Sequence, residues 1–172
     1  MARSYEFGKK EIKEYLKNKY DRNITILDVG CGEGTYFNLL YPYYTNIDGV
    51  EIYKPNIDKY DLELKYKKVY NKNIVDMEYN YYDVIIFGDI IEHLTVEDAQ
   101  KVLKYALSRS KEIIVALPYK YEQGEVDGNK YEIHIQDDLT HEIVKQRYPY
   151  LTLLLNNGVY GYYTARAKWT TK

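Results

Sequence analysis

Two hydrophobic periods alternate along this chain. Helically spaced apolar positions among lysines predict an amphipathic helix over residues 9–19, and the β-branched run Ile24-Thr25-Ile26-Leu27-Asp28-Val29 predicts a strand after it. Helical spacing resumes from Gly34 to about residue 41, where Pro42 closes the element. A second strand ends at Glu51, Pro55 suits the first turn of the next helix, and a short strand follows over residues 67–70. The run Asp83-Val84-Ile85-Ile86-Phe87 is apolar without alternation, as in a parallel strand buried on both faces. Thr95 with Asp98 three residues on has the form of a helix cap, and Val102, Leu103, Ala106 and Leu107 keep helical spacing behind it. A fifth strand over residues 111–117 stops at Pro118.

No period holds over residues 119–136, which Gly124 and Gly128 interrupt. A structureless stretch of that length in a small domain reads as a lid or substrate loop. A short helix is expected over residues 138–146. Two β-rich runs, 150–155 and 160–169, then flank Asn156-Asn157-Gly158, a hairpin signal. Five β/α alternations and a closing hairpin make an α/β chain. Its 172 residues fit one domain over 1–172, with a basic helical segment in 1–22 and the lid at 119–136.

The chemistry begins where the first strand ends, at Asp28-Val29-Gly30-Cys31-Gly32-Glu33-Gly34. Glycine at every second position lets the chain take φ > 0 and leaves main chain bare for a ligand, just before a helix N-terminus with unpaired N–H groups. The spacing is neither the G-x-G-x-x-G of dinucleotide sites nor that of a P-loop. Glu51, at the end of the second strand and about twenty residues on, stands where a carboxylate would hold a ribose diol.

Here the chain resembles the class I S-adenosylmethionine-dependent methyltransferases, whose first motif it matches from Ile26 to Gly34. The stretch Tyr82-Asp83-Val84-Ile85-Ile86-Phe87-Gly88-Asp89-Ile90-Ile91-Glu92-His93-Leu94 is similar to the corresponding segment of the ubiquinone-biosynthesis O-methyltransferase group. The resemblance implies a Rossmann-like fold: a seven-stranded, mostly parallel sheet with a C-terminal antiparallel hairpin and helices on both faces. It also implies S-adenosylmethionine as cofactor. Gly30, Cys31, Gly32 and Gly34 would face its methionyl and ribose parts, and Asp28 would orient that loop and reach the amino group. Glu51 would take the ribose hydroxyls, and Asp89 would sit beside the transferred methyl. Asn73 and Ile74 would read the adenine edge, with Asn73 replacing the usual aspartate and open to a turn-capping role instead.

Methyl transfer to a hydroxyl asks for a base, and histidine is tuned for it near neutral pH. The chain has three: His93, His134 and His141. His134, in a lid segment similar to the substrate side of relatives, is the first choice for base or acceptor contact. Asp89 and His93 complete the catalytic set, with His93 open to a structural bond to the lid and His141 expected on an exposed helix face. Asp89-x-x-Glu92-His93 with the later His134 is also similar to the E-x-x-E-H…H metal site of small-RNA 2′-O-methyltransferases. The first acid here is Asp89, however, and no catalytic metal is expected. Cytosine-5 methylation needs a nucleophilic cysteine, and Cys31 is committed to the loop. The [D/N/S]-P-P-[Y/F/W] motif of amino-methylating DNA enzymes is absent.

Composition narrows the partners. A net charge of −2 gives no global attraction to nucleic acid, although lysines gather at residues 9–19 and 65–72. A single cysteine permits no internal disulfide and fits a reducing cytoplasm, and neither a leader nor a membrane-spanning run is expected. Tyrosine is abundant, 23 against three phenylalanines. The expectation is therefore a cytoplasmic methyltransferase, monomer or homodimer, acting on a hydroxyl or amine of a small molecule. A macromolecular acceptor (RNA, DNA or protein) and a cofactor-binding partner subunit without catalysis are the alternatives.

Overall fold

The computed structural model of the chain describes residues 5–167. Its strands are β1 (Ile26–Val29), β2 (Ile47–Val50), β3 (Lys68–Tyr70), β4 (Tyr82–Gly88), β5 (Ser110–Pro118), β6 (Thr152–Asn156) and β7 (Tyr160–Arg166). They form one sheet in the order β3-β2-β1-β4-β5-β7-β6. β1 to β5 run parallel, and β7 pairs antiparallel with both β5 and β6. Strand order reverses between β1 and β4, which opens a crevice at their carboxyl ends.

The unbroken apolar run of β4 serves two cores. Ile85 and Phe87 enter one cluster while Val84 and Ile86 enter the other. The first cluster also takes Val102, Leu103 and Ala106 of α5 (Val96–Ser108) and Val144 of α6 (His141–Arg147). The second takes Ile12 and Leu16 of α1 (Lys9–Lys19) and Tyr36 and Leu40 of α2 (Thr35–Leu40). Ile57 of α3 (Lys54–Lys59) and Leu62 of α4 (Leu62–Lys65) complete it. Helices thus cover both faces of the seven-stranded sheet, as the resemblance implied.

Most element boundaries follow the hydrophobic periods, and the departures have local causes. α5 starts where Thr95 Oγ1 accepts the Asp98 N–H at 3.1 Å, as its sequence predicts. α6 begins at His141 instead of 138 because Thr140 caps it, accepting the Ile143 N–H at 3.2 Å. Asp138 is drawn into a two-pronged pair with Arg147 at 2.7 and 2.5 Å. β1 starts at Ile26 because Thr25, by its N–H and hydroxyl, bonds the Asp83 carboxylate. The four residues of α4 were not foreseen, being too short to show a period. Within 119–136 there is a 3-10 turn, Lys130–Glu132, and an isolated bridge between Val126 and Asn129. Residues 168–169 of the last expected strand, and 1–4 of the basic segment, lie outside the described residues.

The excess of tyrosine has a structural use. Buried phenols donate to carboxylates along the sheet: Tyr66 to Asp28 at 2.6 Å, Tyr82 to Asp48 at 2.7 Å and Tyr160 to Asp89 at 2.6 Å. A phenylalanine would leave each acid without that donor. Three of the five α1 lysines pair with acids, Lys9 with Glu6, Lys17 with Glu14 and Lys19 with Glu112, so the helix does not present a uniform basic stripe. No helix among the described residues is long and apolar enough to cross a membrane.

Candidate functional site

The crevice at the carboxyl ends of β1 and β4 is a cleft of about 610 Å³. The glycine loop forms one wall. Gly32 has φ 49°, and a Cβ there would meet only the Gly30 oxygen, at 3.7 Å, so its bare face opens into the cleft. Gly30 is glycine for another reason: a Cβ would overlap the Ile90 side chain arriving from the end of β4. Gly34 caps α2 in the left-handed region. Cys31 turns its sulfur toward Gly49 and Tyr66. Burial, with the nearby Asp28 and Glu51 carboxylates, raises its pKa, so the thiol stays protonated and unreactive.

Glu51 lines the cleft and braces the loop at once. One carboxylate oxygen accepts the Gly32 N–H at 2.9 Å and the other the Tyr53 N–H at 2.8 Å. Burial raises its pKa, against the lowering effect of those N–H groups. Asp28 lies outside the residues lining the cleft. It is 1% exposed, takes the Tyr66 hydroxyl, and is pushed up to about 7 by burial, despite that bond. Asn73 and Ile74 line a second, mainly apolar hollow of about 390 Å³ that shares Gly30, Ile52, Ile90, His93 and Tyr131 with the cleft. The Asn73 side chain is spent on capping the next turn, accepting the Val75 N–H at 3.0 Å.

Asp89, the first residue past β4, has φ 56°, a region few non-glycine residues adopt. Its N–H donates to the Ala116 carbonyl at 3.0 Å, and its carboxylate takes the Tyr160 hydroxyl from the first residue of β7. Such a residue at a strand tip facing a cleft is the kind of local strain that functional sites retain.

The next turn carries Glu92 and His93, and the lid brings His134 to them. The two imidazoles meet edge to face with centroids 4.7 Å apart, and Glu92, His93 and His134 offer donor atoms within 4.8 Å of one another. His93 Nδ1 bonds the Ile133 carbonyl at 3.2 Å and His134 Nδ1 bonds the Tyr121 carbonyl at 2.6 Å. A carbonyl only accepts, so each neutral ring carries its proton on Nδ1 and keeps the Nε2 lone pair. Burial holds His93 down to about 4, helped by His134, and burial lowers His134 as well. Glu92 is 1% exposed, and neither of its carboxylate oxygens has a hydrogen-bond partner among the described residues. Burial, then the charge of Asp89, raises its pKa well above the usual carboxylate range.

The structure thus brings Asp89, His93 and His134 into the lining of one cleft with Gly30, Cys31, Gly32 and Glu51. His141 is not on an open face. It is half-buried, stacked on Tyr163 and bonded to its hydroxyl at 3.1 Å. Two residues of the cleft carried little sequence signal. Glu92 was visible only within Asp89-x-x-Glu92-His93, and Tyr160 had no motif at all.

Comparison with known proteins bears on the family and the fold. A family model described as a methyltransferase domain matches residues 3–117. The ubiquinone biosynthesis O-methyltransferase of Rickettsia bellii (strain OSU 85-389) is 33% identical over 107 residues, 58% of this chain and 44% of the relative. The chain therefore spans less than half the length of that relative. Among solved structures, an S-adenosylmethionine-dependent methyltransferase from Clostridium acetobutylicum ATCC 824 superposes with a TM-score of 0.70 at 13% identity, covering 94% of this chain and 92% of that one. Magnesium protoporphyrin IX methyltransferase from Synechocystis PCC 6803, solved with bound SAH, superposes with a TM-score of 0.69 at 11% identity over 93% of this chain and 82% of that one. With its sheet order, its glycine loop and a family match over residues 3–117, the chain belongs to the class I S-adenosylmethionine-dependent methyltransferases.

Proposed function

We propose that this protein transfers a methyl group from S-adenosylmethionine to a hydroxyl of a small molecule bound in the cleft. The observation that carries the reading is the pair of neutral imidazoles, His93 and His134, at the strand-tip end of the cleft that also holds the glycine loop. Bound S-adenosylmethionine supplies a methyl carbon already activated by its sulfonium. The chain's own task is to hold, align and deprotonate. The open face of Gly32 and the Glu51 carboxylate suit the methionyl and ribose parts, and the apolar hollow beside Ile74 suits a flat base. His134 Nε2 is the base for the acceptor proton. Its Nδ1–H, fixed on the Tyr121 carbonyl, sets the ring's tautomer and orientation. Asp89 at the tip of β4 offers negative charge beside the reacting centre. A concave cleft of about 610 Å³ fits a small acceptor, and the ion pairs of Lys9, Lys17 and Lys19 weaken α1 as a docking stripe for nucleic acid.

Two outcomes test this. The rate of methyl transfer from labelled S-adenosylmethionine to a panel of small hydroxyl compounds is expected to rise through a pKa below about 6.5, the ordinary histidine value. It then levels off, because burial lowers His134 and the protonated ring cannot act as base. A rate that keeps climbing with hydroxide concentration into the alkaline range overturns the base role. Separately, Glu51→Gln sets an amide donor against the N–H of Gly32 or Tyr53. It should weaken S-adenosylhomocysteine binding about 10- to 100-fold, in line with roughly 1.5–3 kcal/mol for hydrogen bonds to a charged group. Calorimetry showing unchanged affinity would remove Glu51 from the cofactor site.

A second reading is favoured by Glu92, whose unpartnered carboxyl lies with His93 and His134 in a cluster that fits a divalent cation. Two imidazoles and a carboxylate, each imidazole held by a carbonyl on its far nitrogen, form a donor set with its outer support. A cation there would lower the pKa of an acceptor hydroxyl. Turnover lost on chelation and restored by Mg²⁺ or Mn²⁺ selects this reading, and indifference to chelation selects the unaided base.

A further inference from the structure

Glu92 and His93 follow β4, whereas His134 sits about forty residues later on a lid with no regular structure, so something must hold the two halves together. The carbonyls of Ile91, Glu92 and Leu94 accept from residues 135–136. The N–H groups of Ile135 and Gln136 both donate to the Glu92 carbonyl, at 2.8 and 2.9 Å. The Gln136 side-chain amide donates to the carbonyls of Ile91 at 2.7 Å and Leu94 at 3.0 Å. Its oxygen accepts from the Tyr148 hydroxyl at 2.8 Å and from Arg147 Nη1 at 3.1 Å. Gln136 is 3% exposed, so these bonds form away from water.

We propose that Gln136 is a positioning residue, one buried amide that keeps Glu92 and His93 in register with His134 across the cleft. This rests on the reading of those residues as the reacting end of the site. The residue type follows from the geometry. The position needs N–H donors toward two carbonyls and an acceptor toward a hydroxyl and a guanidinium. Glutamate lacks the donors, lysine the acceptor and leucine both. A side chain that only filled the space would take this donor from the Leu94 carbonyl and leave the Ile91 carbonyl with the Leu94 N–H, at 3.2 Å, at the turn that carries Glu92 and His93.

The test compares three variants with the native chain. Gln136→Glu keeps the acceptor for Tyr148 and Arg147 but turns an oxygen toward the Ile91 and Leu94 carbonyls. Gln136→Met removes both functions at similar size. Tyr148→Phe removes one donor to the same amide and leaves the bonds to Ile91 and Leu94 in place. The readout is the nuclear Overhauser contact between the His93 and His134 ring protons, whose centroids lie 4.7 Å apart in the native chain. Both Gln136 variants should lose that contact, keep S-adenosylhomocysteine affinity, and lose about 100-fold in turnover on an acceptor found by screening, the scale of an ångström's misplacement. Tyr148→Phe should keep contact and turnover. A contact that survives in Gln136→Glu or Gln136→Met, or is lost equally in Tyr148→Phe, overturns the proposal. In the native protein, exchange of the Ile135 and Gln136 amides and the Gln136 side-chain NH₂ at open-loop rates overturns it too, whether or not the variants fold. The base role of His134 is judged separately by the pH profile, so either idea can fall while the other stands.

Discussion

A Glu92→Met protein is expected to be more stable than the native chain and to have lost its methyl transfer. The two effects have one cause. Glu92 buries a carboxyl whose oxygens find no hydrogen bond among the described residues, which costs about 1–3 kcal/mol relative to a side chain that asks for none. Methionine has nearly the same length and a flexible thioether that fills irregular space. The gain should also depend on pH in a fixed direction. Because burial raises the folded pKa of Glu92, its contribution is most favourable below the unfolded carboxylate value, about 4.3, and is lost as pH rises toward the folded one. The stability difference between variant and native chain should therefore widen from acid to neutral pH in denaturant titrations. On the reading in which Glu92 helps hold a cation that lowers the acceptor pKa, turnover should fall about 10²- to 10⁴-fold, the range for losing assistance to proton transfer. A variant less stable than the native chain at neutral pH, or one with native turnover, would show that Glu92 is structural.

Glu112→Leu should have the opposite effect on stability. Glu112 is as deeply buried as Glu92 but lies near the start of the interior strand β5, at the opposite end of the parallel strands from the cleft, and each of its oxygens is occupied. Lys19 Nζ at 2.7 Å, Tyr15 at 2.6 Å, Tyr20 at 2.5 Å and Thr164 at 2.6 Å all donate to it, tying α1 and β7 to β5. Burial alone would raise its pKa, but Lys19 and the three hydroxyls outweigh that and hold it down. Removing the carboxylate takes the acceptor from a lysine and two tyrosine hydroxyls, while Thr164 keeps its bond to the Ile113 carbonyl. The lysine is 24% exposed and recovers some water, so the loss belongs at the low end for a broken buried pair, about 3 kcal/mol. For a chain of this size that is roughly 6–12 °C in Tm. The stabilisation by Glu112 is present above the unfolded carboxylate pKa and fades as pH falls through the lowered folded value. Native and variant melting temperatures should accordingly converge in acid. Cofactor binding should survive at temperatures where the variant is folded, since no residue of the cleft touches Glu112. Equal melting temperatures at neutral pH would remove the network from the account.

These two glutamates mark the limit of what local sequence conveys. Glu112 lies within a strand and does not differ from a solvated acid in composition or spacing, and Glu92 shows only within the D-x-x-E-H segment, which says nothing of its burial or its missing partners. The glycine loop, Glu51, Asp89 and the D-x-x-E-H segment were legible because each lies within a few residues of a strand end, where backbone geometry is set by immediate neighbours. The meeting of His93 with His134 was signalled only by the resemblance to an E-x-x-E-H…H site and not by any local pattern, because a lid without periodicity brings them together. The same holds for Tyr160 on Asp89, which are 71 residues apart, and for His141 turned onto Tyr163. Asn73 shows a smaller version of the problem: its spacing suits a ligand contact, while its side chain is engaged by the Val75 N–H two residues away.

The amino-acid order by itself determined the strands, nearly all the helices, and the bare loop that places this chain in its family. Those features follow from side-chain period and from glycine's missing Cβ, which act over a handful of residues. Only the tertiary structure decided which buried acids are satisfied and which is left waiting, and which histidines face each other. Hydrogen-bond satisfaction inside a protein depends on groups brought from distant parts of the chain, and no local pattern records them.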